Sequence, residues 1–219
     1  MATENERRQQ MIRRITQTIV QNGFADLKME KIAKLMGVSR TKMYQYYSSK
    51  TAIMTDVVAR YLEFMATRSV PQSVDAKTSV TNFPQVILNL ANLIASSSQK
   101  FRRDLAQADE ELSEQFEESY ASWCHQVRDF LTNGVTNGAF NSSLQPELFL
   151  IQMEATVAAL MQPRVLTQHK VVTQNVLREY LQMVITQVVA PKYRAQINLD
   201  AVEPDLEHLT LKYQQTLTK

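Results

Sequence analysis

The sequence is poor in cysteine and glycine, with one cysteine and four glycines among 219 residues. A single cysteine excludes an internal disulfide, which fits a reducing cytosol. Scarce glycine and few alternating apolar runs favour an all-α fold over a β-rich one. No apolar run approaches the roughly 20 residues that cross a bilayer, and the polar residues 1–10 have no signal-peptide core. We therefore expect a cytoplasmic, all-helical protein without a membrane partner.

Motifs of common catalytic and metal sites are also missing. The sequence contains no HExxH, CxxC or G-x-S-x-G motif, and no glycine-rich phosphate loop. Cys124 and His125 are the one tempting pair, but neighbours on a helix point about 100° apart. We expect no enzymatic activity, no catalytic residue, no metal site and no cofactor.

Charge is unevenly distributed along a chain whose net charge is only +2. Residues 1–67 hold 11 Lys and Arg against 6 Asp and Glu, a net +5, whereas residues 68–219 hold 13 against 16, a net −3. A basic segment indicates a polyanionic partner, although a solvated basic face on a small helical domain has the same composition.

The basic segment contains the pattern of a helix-turn-helix. Ile12, Ile15 and Ile19 predict a helix from about Asn5 to Asn22, which Gly23 ends. A second helix, a turn at Gly37 and a third helix follow. The expected core side chains of these two helices are Met29, Ile32, Ala33, Met36, Val38, Met43 and Tyr47. A fourth helix begins after Ser48 and Ser49, with Ile53, Val57, Tyr61 and Phe64 on its inner side.

Cations stand at the predicted starts of the second, third and fourth helices, where the helix dipole favours acids. They are Lys28, Arg40, Lys42 and Lys50, and the acid of a capping box is missing at all three starts. Each such cation costs about 0.3–1 kcal/mol. A phosphate-rich partner reverses the sign of this effect, because helix N-termini and lysines both attract phosphate. The pattern therefore predicts DNA binding through the major groove.

Residues 37–50, GVSRTKMYQYYSSK, resemble the TetR family of bacterial transcriptional regulators, whose pattern is approximately G-V-S-x-G-T-L-Y-x-Y-F-x-S-K. Gly23-Phe24 and Ile32-Ala33 extend the match. Thr41, Lys42 and Tyr47 replace the usual Gly, Thr and Phe, and Leu27-Lys28 replaces a Thr pair. The resemblance implies a homodimeric regulator, by default a repressor, that a small-molecule effector releases from a palindromic operator in double-stranded DNA.

Nine residues are predicted to contact DNA. Arg40 and Lys42 are candidates for guanine edges or, equally, for phosphates. Thr41 and Gln45 suit a thymine methyl group or an adenine edge. Lys28 and Lys50 are expected to anchor phosphates, and Ser39 is a helix cap first and a phosphate contact second. Tyr44 and Tyr46 match family positions that hydrogen-bond phosphates, with ordinary packing at the domain surface as the alternative.

The chain is predicted to contain an N-terminal helix-turn-helix domain and a larger helical ligand-binding and dimerisation domain. The expected boundaries are 1–49 for the DNA-binding domain, 50–67 for a connecting helix, 68–189 for the second domain and 190–219 for a tail. Arg68 to Asn82 is interpreted as a connection. The expected helices after it are Phe83–Ser98, Lys100–Ala108, about Asp109–Thr136, Pro146 to Pro163 and Val172–Val189.

The second domain also resembles TetR-family domains, through Tyr120, Trp123, Gly134, Gly138 and Phe140. The resemblance implies that the last two long helices of each subunit pair across a dimer. A two-fold dimer would place the DNA-contacting third helices of the two subunits about 34–36 Å apart, one turn of DNA. Ala155, Ala158 and Ala159 are small enough to permit close approach of helices. Apolar residues on more than one side of the last helix suggest a second interface, and they include Leu177, Leu181 and Ile185.

The resemblance further implies a cavity for a small molecule in the second domain. The candidate lining residues are Phe101, Phe116, Tyr120, Trp123, Met153 and Met161. An aromatic stripe at helical spacing is more often ordinary core than a ligand site. In the tail, Leu206, Leu209, Tyr213 and Leu217 have helical spacing and predict a short covering helix, with disorder as the alternative.

One competing function remains within the DNA-binding class, namely a sequence-indifferent architectural protein. Such a protein would be more basic overall and would not need a large acidic second domain. Salt-dependent binding to one operator and to random duplex distinguishes the two.

Overall fold

The computed structural model describes residues 4–170 and 175–217, and within these ranges the chain is helical, as predicted. The one β-type pairing there is an isolated bridge between Phe140 and Val189. Two short 3₁₀ helices, Pro191–Gln196 and Asp200–Val202, lie in the C-terminal part. The α-helices are α1 (Glu4–Asn22), α2 (Met29–Met36), α3 (Arg40–Tyr44), α4 (Lys50–Thr67), α5 (Ala76–Ala95), α6 (Gln99–Ala108), α7 (Glu110–Thr136), α8 (Pro146–Leu160), α9 (Pro163–Gln168), α10 (Val176–Val188) and α11 (Glu203–Leu217).

The chain forms two compact units. The first contains the residues up to Arg68 together with Ser96–Ala121, and the second contains Ser69–Ala95 and the residues from Ser122 onward. The first unit is thus larger than the predicted DNA-binding domain of residues 1–49. The physical reason is that α6 packs directly on α1 and supplies hydrogen bonds that the first four helices cannot make among themselves.

The core of α1–α4 consists of the side chains that helical spacing selected. Ile12, Ile15 and Ile19 of α1 are buried, and so are the selected residues of the next helices: Ile32, Ala33, Met36, Met43, Tyr47, Ile53, Val57 and Tyr61. Three side chains expected in the core, Met29, Val38 and Phe64, are only half-buried. At the end of α4 the inward position is taken by Met65, because the helix turns Phe64 toward its flank.

The turn after α1 is held from two sides by charged groups. The buried Asp104 carboxylate of α6 accepts hydrogen bonds from the Phe24 and Ala25 backbone N–H groups at 2.7 and 2.9 Å. Lys50 Nζ donates to the Ala25 carbonyl at 2.7 Å. Gly23 has φ of +73°, and a Cβ there would lie 2.4 Å from Asp104 Oδ2. The turn therefore requires glycine both for its backbone angle and for the approach of Asp104.

A second polar cluster joins α1 and α4 to Tyr47, which lies three residues beyond the end of α3. Arg8 donates from Nε and Nη2 to the two Asp56 oxygens at 2.6 and 2.8 Å, and the Tyr47 hydroxyl donates to Asp56 at 2.7 Å. The Arg8 guanidinium also lies 5.1 Å from the centre of the Tyr47 ring. Burial raises the pKa of Tyr47 above its ordinary value, with the hydrogen bond to Asp56 adding to the effect, so the phenol remains a donor. This cluster anchors the chain just after the C-terminal end of α3.

In the second unit, α5 begins seven residues before the predicted start at Phe83, so the interpretation of Arg68–Asn82 as a connection was wrong beyond Asp75. The Asp75 carboxylate caps the helix by accepting from the Thr78 N–H at 2.7 Å, which lowers the pKa of Asp75. Burial of Ser79 and Val80 holds the first turns of α5 in place. Pro84 lies inside the helix, where it removes one backbone hydrogen bond.

Helix α8 begins at Pro146 as predicted and ends at Leu160, before Pro163, which starts the short helix α9. Val172, the predicted start of the last long helix, lies outside the described residues, and α10 is described from Val176. Leu177, Leu181 and Ile185 are buried within this chain. The interpretation of these three as surplus apolar surface was therefore wrong, because α11, α5 and the 3₁₀ helix at Pro191–Gln196 pack against α10.

Aromatic rings fill the centre of the second unit. The Phe140 ring lies 5.1 Å from that of Phe83 and 5.7 Å from that of Phe130, centre to centre. Gly134 permits this arrangement, because a Cβ there would lie 2.1 Å from the Phe140 ring. The tail ends in α11, which confirms the predicted helix, and its Leu206 and Leu209 side chains are buried. The side chains of Tyr213 and Leu217 lie outside the described residues.

We expect Asp104→Ala to destabilise the first unit. The substitution leaves the Phe24 N–H buried without an acceptor, which costs about 2–3 kcal/mol. Urea unfolding followed by helical circular dichroism measures the loss. Glu114→Ala, which removes an exposed acid of α7, is the control and should change the free energy of unfolding by under about 0.5 kcal/mol. Equal stability of the two variants would contradict the role given to Asp104.

Candidate nucleic-acid interface

The short helix α3 has one buried side and one exposed side. Met43 and Tyr47 are buried against the core at 0% and 1% exposure. Ser39 caps the helix, since its Oγ accepts the Lys42 N–H at 3.1 Å. The residues predicted to contact base edges or phosphates from this helix are exposed or half-exposed: Arg40, Thr41, Lys42, Tyr44, Gln45 and Tyr46. The fold thus presents a basic and aromatic surface on α3 with its anchors on the opposite side.

Arg40 is held by two neighbours. Its Nη1 donates to the Glu30 carboxylate of α2 at 2.6 Å. Its guanidinium lies 5.9 Å from the centre of the Tyr44 ring, one helical turn further along. Cation–ring contacts of this kind are favourable and restrict the side chain. Arg40 is therefore restrained by contacts within the chain.

Lys42 has a similar arrangement with neutral partners. Its ammonium donates to the Gln45 side-chain oxygen at 3.0 Å and lies 5.2 Å from the centre of the Tyr46 ring. Each of the two cations of α3 therefore has a tyrosine four residues later. The tyrosines predicted at phosphates also serve to orient the cations.

The two flanking lysines differ in their surroundings. Lys28 is exposed at the N-cap position of α2, and its side chain makes no capping hydrogen bond. Lys50, at the start of α4, donates to the Ala25 carbonyl at 2.7 Å and to the Phe24 carbonyl at 3.4 Å. Its ammonium therefore already contributes to the structure of the turn, in addition to the phosphate contact that the sequence predicts.

Sequence reasoning missed three residues that shape this surface. Glu30, which pairs with Arg40, was detectable as an acid in the first turn of α2. Arg14 of α1 donates to the Met36 carbonyl at 3.0 Å, beside Gly37 with φ of +72°, and so closes the turn between α2 and α3. Asp56, the acceptor for Tyr47, gave no local signal, because the two residues meet only when α4 folds back on α3.

The six predicted ligand-binding residues are divided between the two units. Phe101, Phe116 and Tyr120 belong to the first, where the rings of Phe101 and Phe116 lie 5.7 Å apart and the Tyr120 ring lies 6.3 Å from that of Phe116. Trp123, Met153 and Met161 belong to the second. Met153 accepts a hydrogen bond from the Tyr180 hydroxyl at 3.2 Å, and Trp123 is 1% exposed. The cavity stays a prediction.

Catalytic pairs, metal ligands and membrane-spanning helices are the other features to consider in the described part of the chain. His125 Nδ1 lies 3.1 Å from Asp129 on the exposed side of α7, an ordinary surface pair. Among residues 4–170 and 175–217, no group of three or more His, Cys, Asp or Glu is placed to hold a metal ion. Within the same residues, no helix has the length and apolar character to span a membrane.

Comparison with known proteins agrees with this geometry. Residues 12–57 match the family described as bacterial regulatory proteins, tetR family, and this segment includes α2, α3 and their anchors. No curated protein matches the chain significantly.

Three solved structures align with 79% or more of this chain. A protein described as a transcriptional regulator from Saccharomonospora viridis, in complex with choline, has a TM-score of 0.55 and 15% identity over 85% of this chain and 100% of its own. A TetR-family regulator from Rhodococcus sp. has a TM-score of 0.49 and 18% identity over 80% and 95%. The transcriptional regulator FadR from Bacillus subtilis, in complex with stearoyl-CoA, has a TM-score of 0.44 and 22% identity over 79% and 96%.

The family match lies on the helices that present Arg40 and Lys42, and the all-helical fold with an N-terminal helix-turn-helix continues beyond it. Residues 12–57 thus form a helix-turn-helix domain that matches the tetR family of bacterial regulatory proteins.

Proposed function

We propose that the chain is a transcriptional repressor that binds a palindromic operator as a homodimer and is released by a small-molecule ligand. The observation that carries the DNA-binding part is the exposed side of α3, where Arg40, Thr41, Tyr44 and Gln45 lie opposite the buried anchors. A helix with this division is suited to the major groove, because its outer side chains reach base edges while its inner ones fix it to the domain.

Electrostatics supports the same partner. The segment 1–67, which contains α1–α4, has a net charge of +5 in a chain of +2. Lys28 and Lys42 are suited to phosphates, since neither has a carboxylate partner within ion-pair distance among the described residues. Thr41 and Gln45 carry groups that contact thymine methyls and adenine edges. The +5 segment is followed by the net −3 of residues 68–219, which favours a localised contact over the uniform coating of an architectural protein.

Removing both cations of α3 should abolish specific binding. For Arg40→Ala with Lys42→Ala, we expect operator affinity to fall at least about 100-fold at moderate salt, because each subunit loses two cations and a base contact alone contributes about 1–3 kcal/mol. The slope of log affinity against log salt should decrease by about one for each phosphate that the variant no longer neutralises. Fluorescence anisotropy over a salt series measures both quantities.

The control for that variant removes two cations outside α2 and α3. Lys77→Ala with Lys192→Ala takes the same charge from exposed positions in the second unit. It should retain operator preference. Unchanged association of the Arg40 and Lys42 double variant with every duplex would overturn the DNA-binding proposal.

The proposed dimer interface is formed by the exposed sides of α8 and α10. Leu148 and Ile151 on α8 are 64% and 58% exposed, and Met183 on α10 is 67% exposed. The two helices are joined by a reciprocal amide pair, in which Gln152 and Gln187 donate to each other at 3.1 and 2.8 Å. Ala155 and Ala158 continue the exposed side of α8. A surface with protruding apolar groups and small residues is suited to a second copy of itself.

Introducing charge on this surface should produce monomers. We expect Ile151→Glu with Met183→Glu to shift the protein from dimer to monomer in sedimentation velocity, because two unpaired carboxylates per subunit would be buried in the interface. The monomer should also lose affinity for the two-half-site operator. Leu211→Glu is the control, since Leu211 of α11 is also 58% exposed but lies outside α8 and α10. A dimer that withstands both changes would exclude this interface.

Release by a ligand requires that the ligand bind the form of the dimer that does not fit DNA more tightly than the form that does. Choline, present in the Saccharomonospora viridis neighbour, is a suitable first probe. We expect at least one compound that raises the melting temperature of the protein to lower its affinity for the operator. Affinity unchanged by every stabilising compound would remove ligand release from the proposal and leave DNA binding intact.

A further inference from the structure

Glu30 places a carboxylate on a surface that is otherwise basic. It lies in the first turn of α2, is 69% exposed at its side chain and accepts from Arg40 Nη1 at 2.6 Å. A negative charge at this position weakens binding to DNA of any sequence, because it opposes the phosphates. We infer that Glu30 is a specificity-determining residue, which holds the Arg40 guanidinium for a guanine edge and keeps it from a phosphate. The inference rests on the proposed DNA-binding function.

The contact with Glu30 leaves the other N–H donors of the Arg40 guanidinium available for a base. A guanidinium has five N–H donors, and the contact with Glu30 involves Nη1. The remaining donors include the pairs that bind O6 and N7 of guanine together. The Tyr44 ring, 5.9 Å away, restrains the same side chain from the helix side. An arginine restrained at two points loses little conformational freedom when it contacts a base.

Electrostatics makes the arrangement selective between the two possible contacts. A phosphate brought to Arg40 also approaches the Glu30 carboxylate, and like charges repel. A guanine edge offers neutral acceptors, so it meets the guanidinium without that repulsion. The acid therefore disfavours the contact that carries no sequence information and permits the contact that does.

Lys42 shows the contrast within the same helix. Its partner is the neutral amide of Gln45 at 3.0 Å, and the Tyr46 ring lies on its other side. Nothing in this arrangement opposes a phosphate. Arg40 and Lys42, which the sequence could not tell apart, are thus assigned to base and backbone respectively.

Binding measurements on the full chain test the inference. A preferred duplex is first enriched from a random library with the unaltered protein, and affinities for it, for its single-pair variants and for random duplex are then compared. For Glu30→Gln we expect tighter binding to random duplex by several-fold. We also expect the ratio of preferred to random affinity to fall about tenfold, with discrimination lost at one guanine pair in each half-site. Because Arg40 would then be able to neutralise a phosphate, the salt slope should rise by about one per subunit.

Two further variants fix the interpretation. Glu63→Gln removes the same charge from the exposed side of α4, 13 residues after Lys50 and so about 20 Å along the helix, and should leave the ratio unchanged. Arg40→Lys keeps the positive charge but lacks the paired N–H donors of a guanidinium. Adding Glu30→Gln to Arg40→Lys should therefore leave the ratio of preferred to random affinity as it is in Arg40→Lys alone. Thermal melting confirms that each variant is folded.

Several results would overturn the inference. If Glu30→Gln tightens binding to all duplexes equally, Glu30 is a repulsive charge without a role in specificity. If its effect persists in Arg40→Lys, Glu30 contacts a base directly and does not act through Arg40. Both results leave the proposed function standing. If the unaltered protein enriches no duplex, the proposed function fails and this inference fails with it.

Discussion

The candidate interface depends on how a five-residue helix is held. Helix α3 is too short to be stable alone, since even much longer isolated helices are marginal in water. Its position comes from the buried Met43 and Tyr47 side chains and from the hydrogen bond of the Tyr47 hydroxyl to Asp56, which Arg8 neutralises. These interactions on the buried side of α3 therefore set the orientation of its exposed side chains.

The sequence predicted the parts of this arrangement that depend on local spacing. Apolar residues three and four apart located α1, α2 and α4, Ser39 identified the start of α3, and Gly23 and Gly37 marked the turns. These signals are local because a helix buries one side at a fixed period and because a left-handed backbone angle favours glycine. The resemblance to the family pattern then predicted which side of α3 would contact DNA.

The remaining features depend on interactions between distant residues. Asp104 meets the backbone of the Phe24–Ala25 turn across 80 residues, and nothing near either position announces it. The start of α5 was misplaced because its Ser and Thr residues are typical of loops, whereas burial of Ser79 and capping by Asp75 make them helical. The sequence predicted surplus apolar surface at Leu177, Leu181 and Ile185 because it does not show that α11 and the 3₁₀ helix of the tail pack against α10.

The close approach of Phe140 to Gly134 has a consequence for genetics. Any side chain at residue 134 would overlap the aromatic ring, whose near carbon lies 2.1 Å from the site of a Cβ. If the chain binds an operator as proposed, random mutagenesis that selects for loss of operator occupancy will recover replacements at residue 134 alongside those of α3, although the two belong to different units. Cellular abundance separates the classes, because a disrupted core removes the polypeptide, whereas an altered binding surface leaves it present and inert.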